Sequence, residues 1–301
     1  RDRSPSRGLG DVYKRQYFCC IVLNLRKEVR DMNKLWAMYF SGTGGTEKVT
    51  KSIAETIGSK LNIHNIEVLD FTPLKNRKEV PVFEKEDIVV LGLPTIAGRV
   101  PNLMLEYLKK IQGNAAVGIA VMTFGNRSFD DSLMELSLIM DDCNFRVIAG
   151  GGFSCEHSFS TILGKGRPDA KDMKEVVEFG RKIAEKIKNN DFSRPTVKGN
   201  NPVHPYFQPQ DRNGNHIDIR KVKPKTNDKC TDCKLCAILC PTGAIDYNDV
   251  RSVPGVCMKC CACVKKCPVN AKYFDDEGYL YHQRELEELY GVRRAINEYF
   301  V

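Results

Sequence analysis

Between residues 34 and 190 the chain alternates between two apolar patterns. Five short apolar runs predict strands: KLWAMYF (34–40), NIEVLDF (65–71), DIVVLGLP (87–94), AAVGIAVMTF (115–124) and FRVIAGGGF (145–153). The run at 87–94 is apolar without interruption, as expected of a strand covered on both faces. Helical spacing fills the gaps. EKVTKSIAETIGSKL (47–61) places Val49, Ile53, Ile57 and Leu61 on one stripe. PNLMLEYLKKI opens on Pro101, a favourable first helical residue. FDDSLMELSLIMDDC (129–143) and DAKDMKEVVEFGRKIAEKIKNN (169–190) read as two further helices. This alternation predicts a doubly wound α/β domain over 32–190, with a parallel five-stranded sheet and helices on both faces.

The rhythm stops after residue 190. Pro195, Pro202, Pro205, Pro209 and Pro224 punctuate a polar stretch over 191–224. Two readings stand: an extended linker, or a strap whose Tyr206 and Phe207 pack on one domain. A cysteine-rich unit begins near 225, in a second domain drawn over 225–301. The tail YHQRELEELYGVRRAINEYF (281–300) has helical spacing at Leu286, Leu289, Tyr290, Arg293 and Ile296. It is expected to pack on its own protein rather than on a partner.

Charge and the N-terminus narrow the class. The formal charge is +8, yet residues 1–31 and 191–229 each carry eight Lys/Arg against four Asp/Glu. The folded segments are therefore neutral, and a nucleic-acid partner, which would need a basic folded face, is not expected. The first 31 residues read as a disordered or non-native leader, with Met32 as the natural start. YFCCIVLNL (17–25) is apolar for nine residues, whereas a membrane helix needs about 20. No membrane association and a cytoplasmic location are expected.

Nine of the thirteen cysteines fall between 230 and 267. Cys230, Cys233, Cys236 and Cys240 precede Pro241; Cys257, Cys260, Cys263 and Cys267 precede Pro268. Each member of the second set lies 27 residues after its counterpart, as do the prolines and Ala244/Ala271. The spacing C-x2-C-x2-C-x3-C-P, twice, is an iron–sulfur run. Zinc sites instead pair two ligands and place the next pair across a longer loop. The unit resembles the bacterial two-cluster [4Fe–4S] ferredoxins, a small α+β fold. In that arrangement three close thiolates wrap one cubane and the fourth reaches the other. The implied ligands are Cys230, Cys233, Cys236 and Cys267 for one cluster, and Cys257, Cys260, Cys263 and Cys240 for the second. Cys261 breaks the repeat and, with Cys143 and Cys155, reads as a packing cysteine.

The turn Ser41-Gly42-Thr43-Gly44-Gly45-Thr46 joins the first strand to the first helix. It lacks the lysine of a P-loop and the third glycine of a dinucleotide fingerprint. Three hydroxyls and several backbone N–H groups at a helix N-terminus suit a single phosphate monoester. An ordinary glycine-rich connection is the alternative. Two later loops, LPTIAGRVP (93–101) and MTFGNRSFDD (122–131), leave the carboxyl ends of neighbouring strands, where doubly wound sheets bind ligands. Together the three loops resemble those of the flavodoxin family, over about residues 33–190. The resemblance implies FMN, with its phosphate on Ser41–Thr46. The isoalloxazine is then expected between Pro94, Thr95, Ile96, Ala97 and Gly98 on one side and Thr123, Phe124, Gly125, Asn126 and Arg127 on the other. Flavodoxins often stack aromatic rings from these loops; here Ile96 stands in the first, the single Trp36 lies in a strand, and Phe124 is the expected stacking ring. Arg99 and Arg127 could face a reduced flavin or be surface charges. Cys155 and His157, in GGGFSCEHSF (150–159), could be a redox thiol and a proton donor or part of a packed loop.

The resulting expectation is an electron-transfer flavo-iron–sulfur protein carrying two [4Fe–4S] clusters and FMN, and exchanging electrons with a redox partner protein. A flavin-dependent reductase of a small organic acceptor, fed by its own clusters, is the alternative. A flavodoxin-like fold without cofactor is a third reading, against which the intact turn counts.

Overall fold

The structure, a computed structural model, describes residues 34–301. The leader over 1–31 and the start at Met32 lie outside the described residues. The first half runs β1 (Leu35–Tyr39), α1 (Gly45–Leu61), β2 (Ile66–Asp70), β3 (Ile88–Pro94), α2 (Leu105–Leu108), β4 (Val117–Phe124), α3 (Ser132–Asp142), β5 (Arg146–Ser154) and α4 (Ala170–Lys188). The five predicted strands are all present. The helix expected from Pro101 is only a short 3-10 turn, Asn102–Met104, followed by the four residues of α2.

Strand order is β2-β1-β3-β4-β5, all parallel. That is the flavodoxin-like doubly wound order, with its topological switch between β1 and β3. Successive residues of β1 and β3 alternate between two cores. One core packs Val49, Ile53 and Ile57 of α1 with Val176, Phe179 and Ile183 of α4. The other packs Leu133, Leu136 and Met140 of α3 with Met104 and Leu108. Each of α1 and α4 shows the one-sided apolar stripe that this covering requires. A capping box fixes the start of α4: the Asp169 carboxylate accepts from the Lys171 and Asp172 N–H groups. Helix α1 lies so close to the sheet that a Cβ on Gly92 would fall 1.9 Å from Thr50 Oγ1.

The second half is built from β6 (Lys225–Thr226), α5 (Leu235–Ile238), α6 (Ala262–Lys265), β7 (Lys272–Tyr273), α7 (Glu277–Tyr290) and β8 (Glu298–Phe300). The 27-residue sequence repeat is also a backbone repeat. Asp232 and Lys259, Lys234 and Cys261, and Gly243 and Asn270 all have positive φ, and α5 and α6 begin at matching positions.

Two expectations are corrected. The tail is not helical over 281–300: α7 ends at Tyr290, and β8 pairs antiparallel with β5 as a sixth strand of the main sheet. The Tyr299 ring packs against Phe153 and Phe179, with centroids at 6.5 and 5.3 Å. The end of the chain therefore belongs to the first domain, not to the cysteine unit drawn over 225–301. The stretch 191–224 is likewise no free linker. Val197 is buried, the Tyr206 hydroxyl donates to Val100 O at 2.7 Å, and Phe207 N–H donates to Ala97 O at 2.9 Å. Among the described residues no helix is long and apolar enough to cross a membrane.

Candidate functional site

The turn at 41–46 sits at the switch point, between β1 and the N-terminus of α1. Ser41 Oγ accepts from the Gly44 and Glu47 N–H groups, each at 3.1 Å, and so shapes the turn from inside. Thr46 Oγ1 and Thr123 Oγ1 share a hydrogen bond of 2.7 Å. Thr43 is exposed. Gly44, at φ 101°, makes the left-handed bend that starts the helix. Among the described residues, the N–H groups of Gly42, Thr43, Gly45 and Thr46 meet no protein acceptor. Four free donors at the positive end of a 17-residue helix fit a phosphate. Burial opposes the Glu47 charge in that first turn, but Lys51 at 2.6 Å and the Tyr39 hydroxyl hold its carboxyl below its ordinary range.

The two ring loops lie beside the turn, joined by Thr95 N–H donating to Thr123 O at 2.7 Å. The first is a tight reversal. Ile96 and Arg99 exchange N–H···O bonds of 3.0 Å, with Ala97 and Gly98 at positive φ between them. Pro94 and Ile96 are half-buried at its base. The second loop departs from expectation. Phe124 is 4% exposed and packs on Phe129 in the core, so its ring is not offered to the loops. Gly125 is covered by the His157 ring. The Asn126 amide grips the tail instead of a ligand: it donates to Tyr290 O and Arg293 O and accepts from Arg167 and Ala295 N–H.

Arg99 forms a bidentate pair with buried Glu135 at 2.6 and 2.7 Å, which assigns it to the scaffold. Arg127 pairs with Asp130 and covers the Phe207 ring. Burial pushes the Cys155 thiol up to about 12, and the thiol packs under Gly45. It is an inert packing group. Burial, with the charges of His282, Lys265 and Arg127, lowers His157 to about 4, so its ring is neutral near pH 7.

The eight repeat cysteines line two small cavities. Cys230, Cys233, Cys236 and Cys267 line the first; Cys240, Cys257, Cys260 and Cys261 line the second; Cys263 borders both. The thiols ring a space rather than converge. Among the described residues no three His, Cys, Asp or Glu side chains meet at a point suited to one metal ion. Backbone donors point at the sulfurs: Ala244 N–H reaches Cys240 Sγ and Ala271 N–H reaches Cys267 Sγ, each at 3.2 Å, one in each repeat. Such N–H···S bonds are the contacts by which a protein tunes an iron–sulfur cluster. Burial raises the Cys260 thiol to about 12 and raises Cys257 and Cys263 as well, so the protonated thiols are favoured there. Cys261, 3% exposed, bonds Lys259 O and the Tyr279 hydroxyl and packs as expected.

The cysteine unit docks directly on the phosphate turn. A Cβ on Gly42 would lie 3.1 Å from Cys260 Cβ and 3.5 Å from its Sγ. Arg77 donates to Pro241 O, and Lys265 bonds Glu156 and Ser160 O at 2.5 and 2.6 Å. The second cavity thus faces the turn, while Cys233 of the first is exposed. This juxtaposition was not legible in the sequence, where Gly42 and Cys260 stand in different domains.

Separate parts of the chain match known proteins. Residues 224–246 match the family described as a 4Fe-4S binding domain. The chain is 27% identical over 152 residues to a flavodoxin of Clostridium beijerinckii, a match covering 49% of this chain and 96% of that protein. It is 40% identical over 48 residues to pyruvate synthase subunit PorD of Methanocaldococcus jannaschii, covering 15% of this chain and 56% of that subunit. A solved flavodoxin from the domain Archaea aligns with a TM-score of 0.36 at 21% identity, over 52% of this chain and 99% of its own. Fold and site together define an electron-transfer class. The chain is a flavodoxin-like domain fused to a ferredoxin-type 4Fe–4S unit, the first implying FMN and the second iron–sulfur binding.

Proposed function

We propose that this protein is an electron carrier that holds two [4Fe–4S] clusters and one FMN in a single relay. When bound, the clusters would supply one-electron steps and the flavin would couple them to two-electron chemistry. The contact of Cys260 with Gly42 is the observation that carries the proposal. It sets the second set of thiols against the turn at 41–46, whose Gly42, Thr43, Gly45 and Thr46 N–H groups would hold the FMN phosphate. Cys257, Cys260, Cys263 and Cys240 would ligate the cluster on the flavin side. Cys230, Cys233, Cys236 and Cys267 would ligate the outer one, where exposed Cys233 leaves room for a redox partner protein. The carrier reading is preferred to a small-molecule reductase because the strap at Phe207 and the tail at 290–295 lie across the ring loops. The reading places the protein in the cytoplasm, where thiols stay reduced.

The test is anaerobic reconstitution followed by rapid-mixing kinetics. The protein should retain iron, acid-labile sulfide and FMN. Once reduced, it should pass electrons rapidly to carrier proteins and viologen dyes. Zinc without acid-labile sulfide would overturn the cluster assignment. Rapid, saturable turnover of one organic acceptor, with slow protein acceptors, would overturn the carrier role.

A further inference from the structure

We infer that Lys272, on the short strand β7, is the internal counter-ion of the cluster held by Cys230, Cys233, Cys236 and Cys267, and that its charge raises the reduction potential of that cluster. The inference rests on the cluster reading above and adds to it a residue that sets the potential.

The 27-residue repeat marks the position. Ala244-Ile245 after the first cysteine run corresponds to Ala271-Lys272 after the second. Both side chains are buried. Ile245 is 5% exposed and lines the second cavity; Lys272 is 4% exposed and lines the first. A lysine therefore stands at one cavity where isoleucine stands at the other. The pleat of β7 sets its direction: Lys272, paired with Thr226 of β6, is buried, and the next residue, Tyr273, is exposed. Lysine is almost never fully buried unless it is paired. Neighbouring lysines have their partners, Lys225 with Asp275 at 2.9 Å and Lys234 with Asp232 at 2.7 Å. The Lys272 ammonium carries three N–H donors, and its one acceptor among the described residues is the carbonyl of Val250. The second cavity also meets a lysine, Lys259, but that ammonium donates to two carbonyls, Arg220 O at 2.5 Å and Cys257 O at 2.9 Å. Lys272 is the less satisfied of the two. A buried charge is costly unless it is paired, and the anion that the first cavity would supply is the cluster, which four thiolates leave net negative. Reduction adds one electron, breaks no bond and makes that anion one charge more negative. A fixed ammonium beside it favours the reduced form over the oxidised one, and net charge is among the levers on such a potential.

The test is a redox titration of the full chain, reconstituted anaerobically with iron and sulfide and followed by electron paramagnetic resonance. In Lys272→Met, with iron and acid-labile sulfide at wild-type levels, reduction of one cluster should become about tenfold less favourable, a fall of about 59 mV for one electron, while the other cluster keeps its potential. Lys272→Arg, which keeps the charge, should titrate as wild type. Lys225→Met removes an equal charge from the exposed side of the paired strand and should leave both potentials unchanged. If Lys272→Met loses iron, Lys272→Gln, neutral but still able to donate to Val250 O, carries the same expectation. Unchanged potentials in the neutral variants would overturn the inference, as would an equal fall in Lys272→Arg or Lys225→Met. Wild type without acid-labile sulfide would overturn the cluster reading itself, and this proposal with it.

Discussion

Replacing Cys240 with alanine is expected to empty the cavity of the second cysteine run, not that of its own run. Cys240 follows Cys236 by four positions, yet it lines the cavity of Cys257 and Cys260 rather than that of Cys230 and Cys233. Iron in the reconstituted variant should fall from about eight to about four per chain, by the arithmetic of two cubanes. Paired variants distinguish crossed from local ligation. Cys240→Ala combined with Cys260→Ala removes two thiols from one cavity and should cost no more iron than either change alone. Cys240→Ala combined with Cys233→Ala strikes both cavities and should leave essentially none. If the first pair loses all the iron and the second only half, ligation is local and the assignment fails. Cys261→Ser is the control. That thiol bonds Lys259 O and Tyr279, lies outside the repeat, and should leave the iron unchanged.

The two cysteine runs were readable because each C-x2-C-x2-C-x3-C-P spacing is complete within twelve residues. The strand–helix alternation was readable for a similar reason: each amphipathic period spans only a few residues. The rest depended on contacts between distant segments. Strand β8 is three residues long, too short for alternation to register, and its partner Gly150–Gly152 lies in the other half of the chain. Phe124 ends a strand that is buried along its whole length, so a position that looked like a loop residue belongs to the core. Tyr206 and Phe207 stood out as an aromatic pair in a polar, proline-rich stretch, but nothing local said which surface received them. Asn126 was placed among the residues flanking the flavin ring because of its loop at the carboxyl end of β4. Its amide instead holds the returning chain.

That substitution of the tail for a ligand makes Asn126 the residue through which the two halves should be easiest to separate. The side chain is 2% exposed. It donates to Tyr290 O at 2.9 Å and Arg293 O at 2.8 Å, and it accepts from Ala295 N–H and Arg167 at 3.1 Å each. Asn126→Ala leaves backbone groups of Tyr290, Arg293 and Ala295 without their partner, which is expected to cost about 2–4 kcal/mol. For a chain of this size that lowers the melting temperature by roughly 3–7 °C. The loss should also be local. Amides at 290–297 should exchange faster with deuterated solvent, while those of β4 and β5 keep their protection, as a released segment rather than an unfolded domain requires. Because α7 runs from the cysteine unit into this segment, its release loosens the docking that sets Cys260 on Gly42. Electron transfer between flavin and clusters should then slow, although iron and FMN contents stay at wild-type levels. An unchanged melting temperature and unchanged exchange at 290–297 would show that the tail is held without Asn126. In that case Arg294, paired with Asp169 and Asp172, and Asn297, bonded to Ser154 N–H, Asp172 and Glu175, would be the residues that secure it.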